Sequence, residues 1–210
     1  MKCIFIHGIS QSPSSWDSVV SHLQSEASVE AICLDLWSVL DGKEATYKNI
    51  YAAFAKQLNT HSAGSKINLC GLSFGGMLAL NYAIDFPQNV MSIVTVGSQC
   101  RVPKNGAWIQ KLLMKLMPAS AYKNMGIGKK DMASLMQSMA DIDFSRRLSE
   151  ISCPALILYG EKDRPMYKNA AEYLAKNIPG AQLATIENAG HAVNTDNPAV
   201  LARAISDFLP

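Results

Sequence analysis

Long apolar runs are missing from this chain of 210 residues. The apolar opening, Cys3 to Ile6, is four residues long before it meets His7 and Gly8. A membrane span needs about 20 apolar residues and a secretory leader a core of roughly seven to fifteen, so neither fits. The expectation is a cytoplasmic protein with no stable membrane insertion. A strong charge of one sign is missing too: 19 Lys and Arg face 17 Asp and Glu, for a net charge of +2. The balance gives no reason to expect a nucleic-acid partner. Cysteine is sparse and scattered, at Cys3, Cys33, Cys70, Cys100 and Cys153. The number is odd, three sit in apolar runs, and no CxxC pair or His/Cys cluster occurs, which argues for buried free thiols and against a structural metal. Internal repeats and low-complexity linkers are absent as well. With 49% hydrophobic and 17% charged residues, what remains is one packed domain over residues 1–210.

Short apolar runs alternate with helical stretches. The runs are KCIFIHG from Lys2, EAICLDL from Glu30, KINLCGLS from Lys66, VMSIVTVGS from Val90, ALILYGEKD from Ala155 and AQLATIENAGH from Ala181. Each reads as a strand buried on both faces. Helix-compatible spacing covers 16–26, 46–61, 76–85, 166–177 and 198–208. This alternation predicts an α/β fold with a mostly parallel six-stranded sheet flanked by helices. Ligand chemistry in such sheets gathers at the carboxyl ends of the strands, here His7, Gly8, Asp35, Ser73, Ser98, Asp163 and His191. Residues 99–150 break the rhythm and read as a helical insertion holding six of the ten methionines. Within it, 108–117 form an amphipathic helix stopped at Pro118, and 99–130 carry seven basic residues and no acidic one.

GLSFG, Gly71 to Gly75, follows one strand-like run and precedes a helical one, the context that a nucleophile elbow requires. A sharp turn would strain Ser73 and project its hydroxyl at a helix N-terminus, while the flanking glycines let strand and helix approach. An ordinary strand-to-helix turn is the bland alternative. A serine hydroxyl is a poor nucleophile at neutral pH, so a base and a group to orient it are needed. Asp163 and His191 supply both, at two later strand ends and in the order Ser, Asp, His. Taken singly, Asp163 reads as a helix N-cap and His191 as a loop histidine; jointly they read as a triad. Asp35 and Asp196 rank below Asp163 as the acid. HGIS at the end of the first strand would give one oxyanion donor, the Ile9 N–H, and Phe74 after the nucleophile the other. His7 is expected to brace this loop.

These motifs resemble the α/β-hydrolase superfamily over nearly the whole chain: HGISQSPSSW from His7, GLSFGG from Gly71, LYGEKD from Leu158 and AGHAVNTDNP from Ala189. The resemblance implies Ser73 as nucleophile, Asp163 as acid, His191 as base, Ile9 and Phe74 as oxyanion donors, and 99–150 as a cap. Two departures stand out. The chain opens on the strand before HG, leaving a minimal six-stranded core, and LWSV follows Asp35 where the family commonly has a proline- and glycine-rich loop. The expected activity is hydrolysis of a small-molecule carboxylic ester or thioester of small or medium acyl size, with no cofactor and no metal. A lyase or carbon–carbon hydrolase acting on an anionic substrate, and a non-catalytic ligand receptor, are the competing readings.

Overall fold

The computed structural model describes residues 1–26, 29–40, 42–102 and 126–210. In chain order the elements are β1 (Lys2–Ile6), α1 (Asp17–Glu26), β2 (Glu30–Leu34), α2 (Tyr47–His61), β3 (Ile67–Leu72), α3 (Phe74–Asp85) and β4 (Val90–Val96). After these come α4 (Lys129–Met139), β5 (Ala155–Gly160), α5 (Pro165–Asn177), β6 (Gln182–Ile186), the short α6 (Val193–Asp196) and α7 (Pro198–Phe208). The six strands form one sheet in the order β2-β1-β3-β4-β5-β6, and every neighbouring pair is parallel.

Alternation along the strands sorts side chains to two cores. In β1, Ile4 and Ile6 pack with Ile50 and Phe54 of α2 and Leu78 of α3 on one face. Cys3 and Phe5 pack with Val19 and Leu23 of α1 and Leu201 and Ile205 of α7 on the other. Each such side chain, fully buried, contributes about 1.5–3 kcal/mol. Helix ends follow local chemistry: the Thr46 hydroxyl accepts the Asn49 N–H at 3.2 Å ahead of α2, and α5 and α7 each begin with proline.

The central strands β1, β3, β4 and β5 are buried as the apolar runs predict, but the outer two are not. Four of the five β6 residues are exposed, and only Leu34 of β2 is fully buried. Both are edge strands with a neighbour on one side only, so flanking helices cover them incompletely. The five cysteines are free thiols; Cys33, in an edge strand, is the one not fully buried. Burial pushes the thiols up, to about 11 at Cys33, Cys100 and Cys153.

The inserted region leaves the sheet after β4. Arg101 bridges to Asp143, α4 follows, and a 3-10 turn over Ser145–Glu150 leads to β5. Met132 and Met139 of α4 are buried in the core, as packing methionines are expected to be. The amphipathic helix expected at 108–117 lies outside the described residues. Among the described residues, no helix is long and apolar enough to cross a membrane.

Candidate active site

Every candidate residue comes from the carboxyl end of a strand. Ser73 sits between β3 and α3 with φ 54° and ψ −111°, a left-handed conformation that a non-glycine residue holds only when its surroundings enforce it. Tight packing enforces it here. A Cβ on Gly71 would run into the Gly75 carbonyl and the Gly76 nitrogen, and one on Gly75 into the backbone of Ile6 and His7. Alanine at either position would push α3 off the sheet. The Ser73 N–H donates to the Val96 carbonyl at 2.8 Å, fixing the turn to β4.

The structure brings Ser73, His191 and Asp163 together. His191 Nε2 is 3.0 Å from Ser73 Oγ, and its Nδ1 is 2.9 Å from Asp163 Oδ2. The Asp163 side chain is fully buried while that of His191 is 34% exposed. A carboxylate can only accept, so Nδ1 carries the proton and Nε2 turns its lone pair to the serine hydroxyl. The second Asp163 oxygen accepts the Arg164 N–H at 2.7 Å, which locks the carboxylate beside the start of α5.

The rival acids do other work. Asp35 Oδ1 accepts the Trp37 N–H at 3.0 Å and closes a turn after β2. Asp196 Oδ2 accepts the Gly190 N–H at 2.8 Å and ties down the loop that carries His191.

Ile9 and Phe74 flank Ser73. Phe74 is the first residue of α3, so its N–H has no partner within the helix. Behind Ile9, His7 is fully buried. The Leu36 N–H donates to its Nε2 at 3.2 Å, so Nδ1 holds the proton and donates to the Gly8 carbonyl at 2.8 Å. Burial lowers its pKa against the smaller opposing effects of the Gly8 carbonyl and Asp35, and the ring is neutral. It braces the loop from behind.

Two sets of contacts at the site have no signal in the sequence. Gln11, two residues past Ile9, pairs with Asn194, three past His191. Tyr167 of α5 stacks on the His191 ring, with centroids 4.0 Å apart and planes 27° apart. Gln11 and Asn194 lie inside the two motifs that begin at His7 and Ala189, but nothing in either motif pairs them; Tyr167 lies in neither, and both contacts depend on chain segments that meet only in the fold.

Two recesses open beside Ser73, sharing Ile9, Met136 and Tyr167 as walls. One, about 70 Å³, is lined by Phe74, Met77, Val102 and Met139. The other, about 240 Å³, is lined by Gly8, Gln11, Met132 and His191. Among the described residues no cluster of His, Cys, Asp or Glu is disposed to hold a metal ion.

Comparison with known proteins bears on the family and the fold. Mouse monoacylglycerol lipase ABHD6 is 24% identical over an alignment covering 98% of this chain and 74% of that protein. The pimeloyl-[acyl-carrier protein] methyl ester esterase of Aromatoleum aromaticum is 25% identical, covering 98% of this chain and 97% of the esterase. Among solved structures, a hydrolase from Pseudomonas aeruginosa PA01 superposes with a TM-score of 0.80 at 17% identity, covering 99% of this chain and 89% of that one. MenH from S. aureus also gives 0.80, at 18% identity, covering 100% and 93%. At such identities the structures share the fold. The model of the alpha/beta hydrolase family matches residues 3–204, and the chain belongs to that family.

Proposed function

We propose that this chain is a serine esterase, cleaving a carboxylic ester or thioester of small or medium acyl size through an acyl-enzyme on Ser73. The observation that carries the reading is the continuous hydrogen-bonded line from Ser73 Oγ through His191 to the buried Asp163, at 3.0 and 2.9 Å, on a strained elbow. Nucleophilic attack needs the serine proton to leave as the bond to the acyl carbon forms, and His191 Nε2 is within reach to take it. Asp163 holds the tautomer that leaves Nε2 free, and its negative charge stabilises the imidazolium that results. The Ile9 and Phe74 N–H groups face the oxyanion. Relatives named as a lipase and as a methyl ester esterase support ester chemistry.

The two recesses divide the substrate. His191 must return its proton to the departing oxygen or sulfur, so the leaving group lies in the recess that His191 lines. The acyl chain then takes the methionine-lined recess of about 70 Å³. Of the cap expected over 99–150, residues 103–125 lie outside the described residues; α4 supplies Met132, Met136 and Met139 to the recess walls.

The test is a panel of esters and thioesters of graded acyl length, assayed with the wild type and with Ser73→Ala. The expected result is turnover favouring short acyl groups and a loss of on the order of 10^3-fold or more in the variant. Wild-type turnover by Ser73→Ala would overturn the reading.

A further inference from the structure

Asp163 holds the edge of the His191 ring, but an aromatic group holds one of its faces. Gly97, at φ 57°, leaves the space where a Cβ would sit 3.1 Å from His191 Cε1 and Nδ1. The Tyr167 ring stacks on the imidazole at 4.0 Å between centroids. Tyr167 is the third residue of α5, and its N–H donates to the Arg164 carbonyl at 2.9 Å. The turn that delivers the Asp163 carboxylate therefore also delivers the aromatic face. Burial, with the Asp163 charge adding to it, raises the phenol pKa, so the ring meeting the histidine is a neutral phenol.

We infer that Tyr167 is a positioning residue for His191, resting on the Ser73 mechanism proposed above: its ring face holds the imidazole in line with Ser73 and stabilises the imidazolium formed in the transition state. Two physical effects combine. Stacked on Tyr167, the imidazole cannot rotate about its Cβ–Cγ bond without leaving the stack, so Nε2 stays on Ser73 Oγ. The second effect is electrostatic. The Ser73 hydroxyl proton moves to Nε2 as Oγ bonds to the acyl carbon, and it passes to the departing atom as the old bond breaks. Between these events the ring is a cation against the negative face of an aromatic quadrupole. Neutral imidazole gains far less from that face, so the stabilisation is larger in the transition state than in the resting enzyme and raises kcat.

The experiment uses the full chain and a short-acyl ester at saturation. Residue 167 is replaced in Tyr167→Leu, in Tyr167→Phe, and by mono-, di-, tri- and pentafluorinated phenylalanine, which keep the ring's shape while draining and then reversing its quadrupole. For Tyr167→Leu the expected fall in kcat is roughly 3- to 30-fold. Tyr167→Phe recovers most of that loss, and log kcat declines progressively with fluorination. A Tyr167→Leu enzyme with wild-type kcat overturns the inference, as does a flat fluorination series, which would make the ring a packing element only. Should Tyr167→Leu fail to fold, the fluorinated series decides alone. Ser73→Ala, assayed in parallel, separates the two levels: if it stays active the esterase mechanism itself falls, and if it is dead while the series is flat only the role of Tyr167 falls.

Discussion

Gln11 and Asn194, 183 residues apart in the chain, face each other amide to amide. Gln11 Nε2 donates to Asn194 Oδ1 at 2.8 Å, and Asn194 Nδ2 donates to Gln11 Oε1 at 3.2 Å. Asn194 is fully buried and also donates to the Ser15 carbonyl at 3.1 Å, while Gln11 Oε1 accepts the Gly8 N–H at 3.4 Å. One small polar network therefore joins the loop carrying Ile9 to the segment following His191. Asn194→Ala takes from Gln11 Nε2 its Asn194 acceptor and is expected to cost about 1–3 kcal/mol in urea unfolding. A double-mutant cycle with Gln11→Ala should give a non-zero coupling energy; additive losses would mean that the two side chains act separately.

His7 links stability to pH. Its folded-state pKa lies below the unfolded value, so the neutral ring is the form the fold prefers. The contribution is complete above the unfolded pKa of about 6.5 and is lost as pH falls below it, where the unfolded chain takes up a proton that the fold resists. His7→Asn lowers stability at pH 7 by breaking the Leu36 and Gly8 hydrogen bonds, but its stability should change less between pH 7 and pH 5 than that of the wild type. Parallel curves for the two proteins in denaturant titrations across that range would contradict this account.

Met139 lines only the smaller recess and Met132 only the larger one. Met139→Ala removes three non-hydrogen atoms from the acyl wall, so the acyl length giving the highest kcat/KM should rise by about two carbons, with alcohol preference unchanged. Met132→Ala should do the converse, relaxing selection for the leaving group. The exchanged pattern in a two-dimensional ester panel would mean that acyl and leaving groups occupy the opposite recesses.

Asp163 and Asp35 offer a paired control. Asp163→Asn keeps the shape but removes the charge that fixes the His191 tautomer, with an expected loss of on the order of 10^3- to 10^4-fold in kcat. Asp35→Asn disturbs a turn closed by the Trp37 N–H and should stay within a few-fold of wild type. Steady-state kinetics on both variants tests the assignment, and the reverse ranking would move the acid to the end of β2.

What could be read from the sequence was local or periodic. The four central strands are continuous apolar runs, and GLSFG combines a strand, a tight turn and a helix within a dozen residues, so pattern alone locates Ser73. Asp163 and His191 follow from strand ends and chain order. The exposure of Gln182 to Thr185 was not legible, because QLAT becomes an edge strand only once the order β4-β5-β6 is known. Tyr167 sits four residues after Asp163 as an ordinary helix residue, and only the packing of α5 over the His191 loop makes it a partner of the imidazole. Gln11 and Asn194 are polar loop residues until β1 and the segment after β6 are brought side by side.

The most direct measurement of the central claim is labelling with a fluorophosphonate, followed by intact mass and peptide mapping. The account predicts a single adduct on Ser73, absent from Ser73→Ala and formed far more slowly in His191→Ala, because the serine then keeps its proton. No adduct in the wild type, an adduct on another residue, or labelling of His191→Ala at the wild-type rate would contradict it.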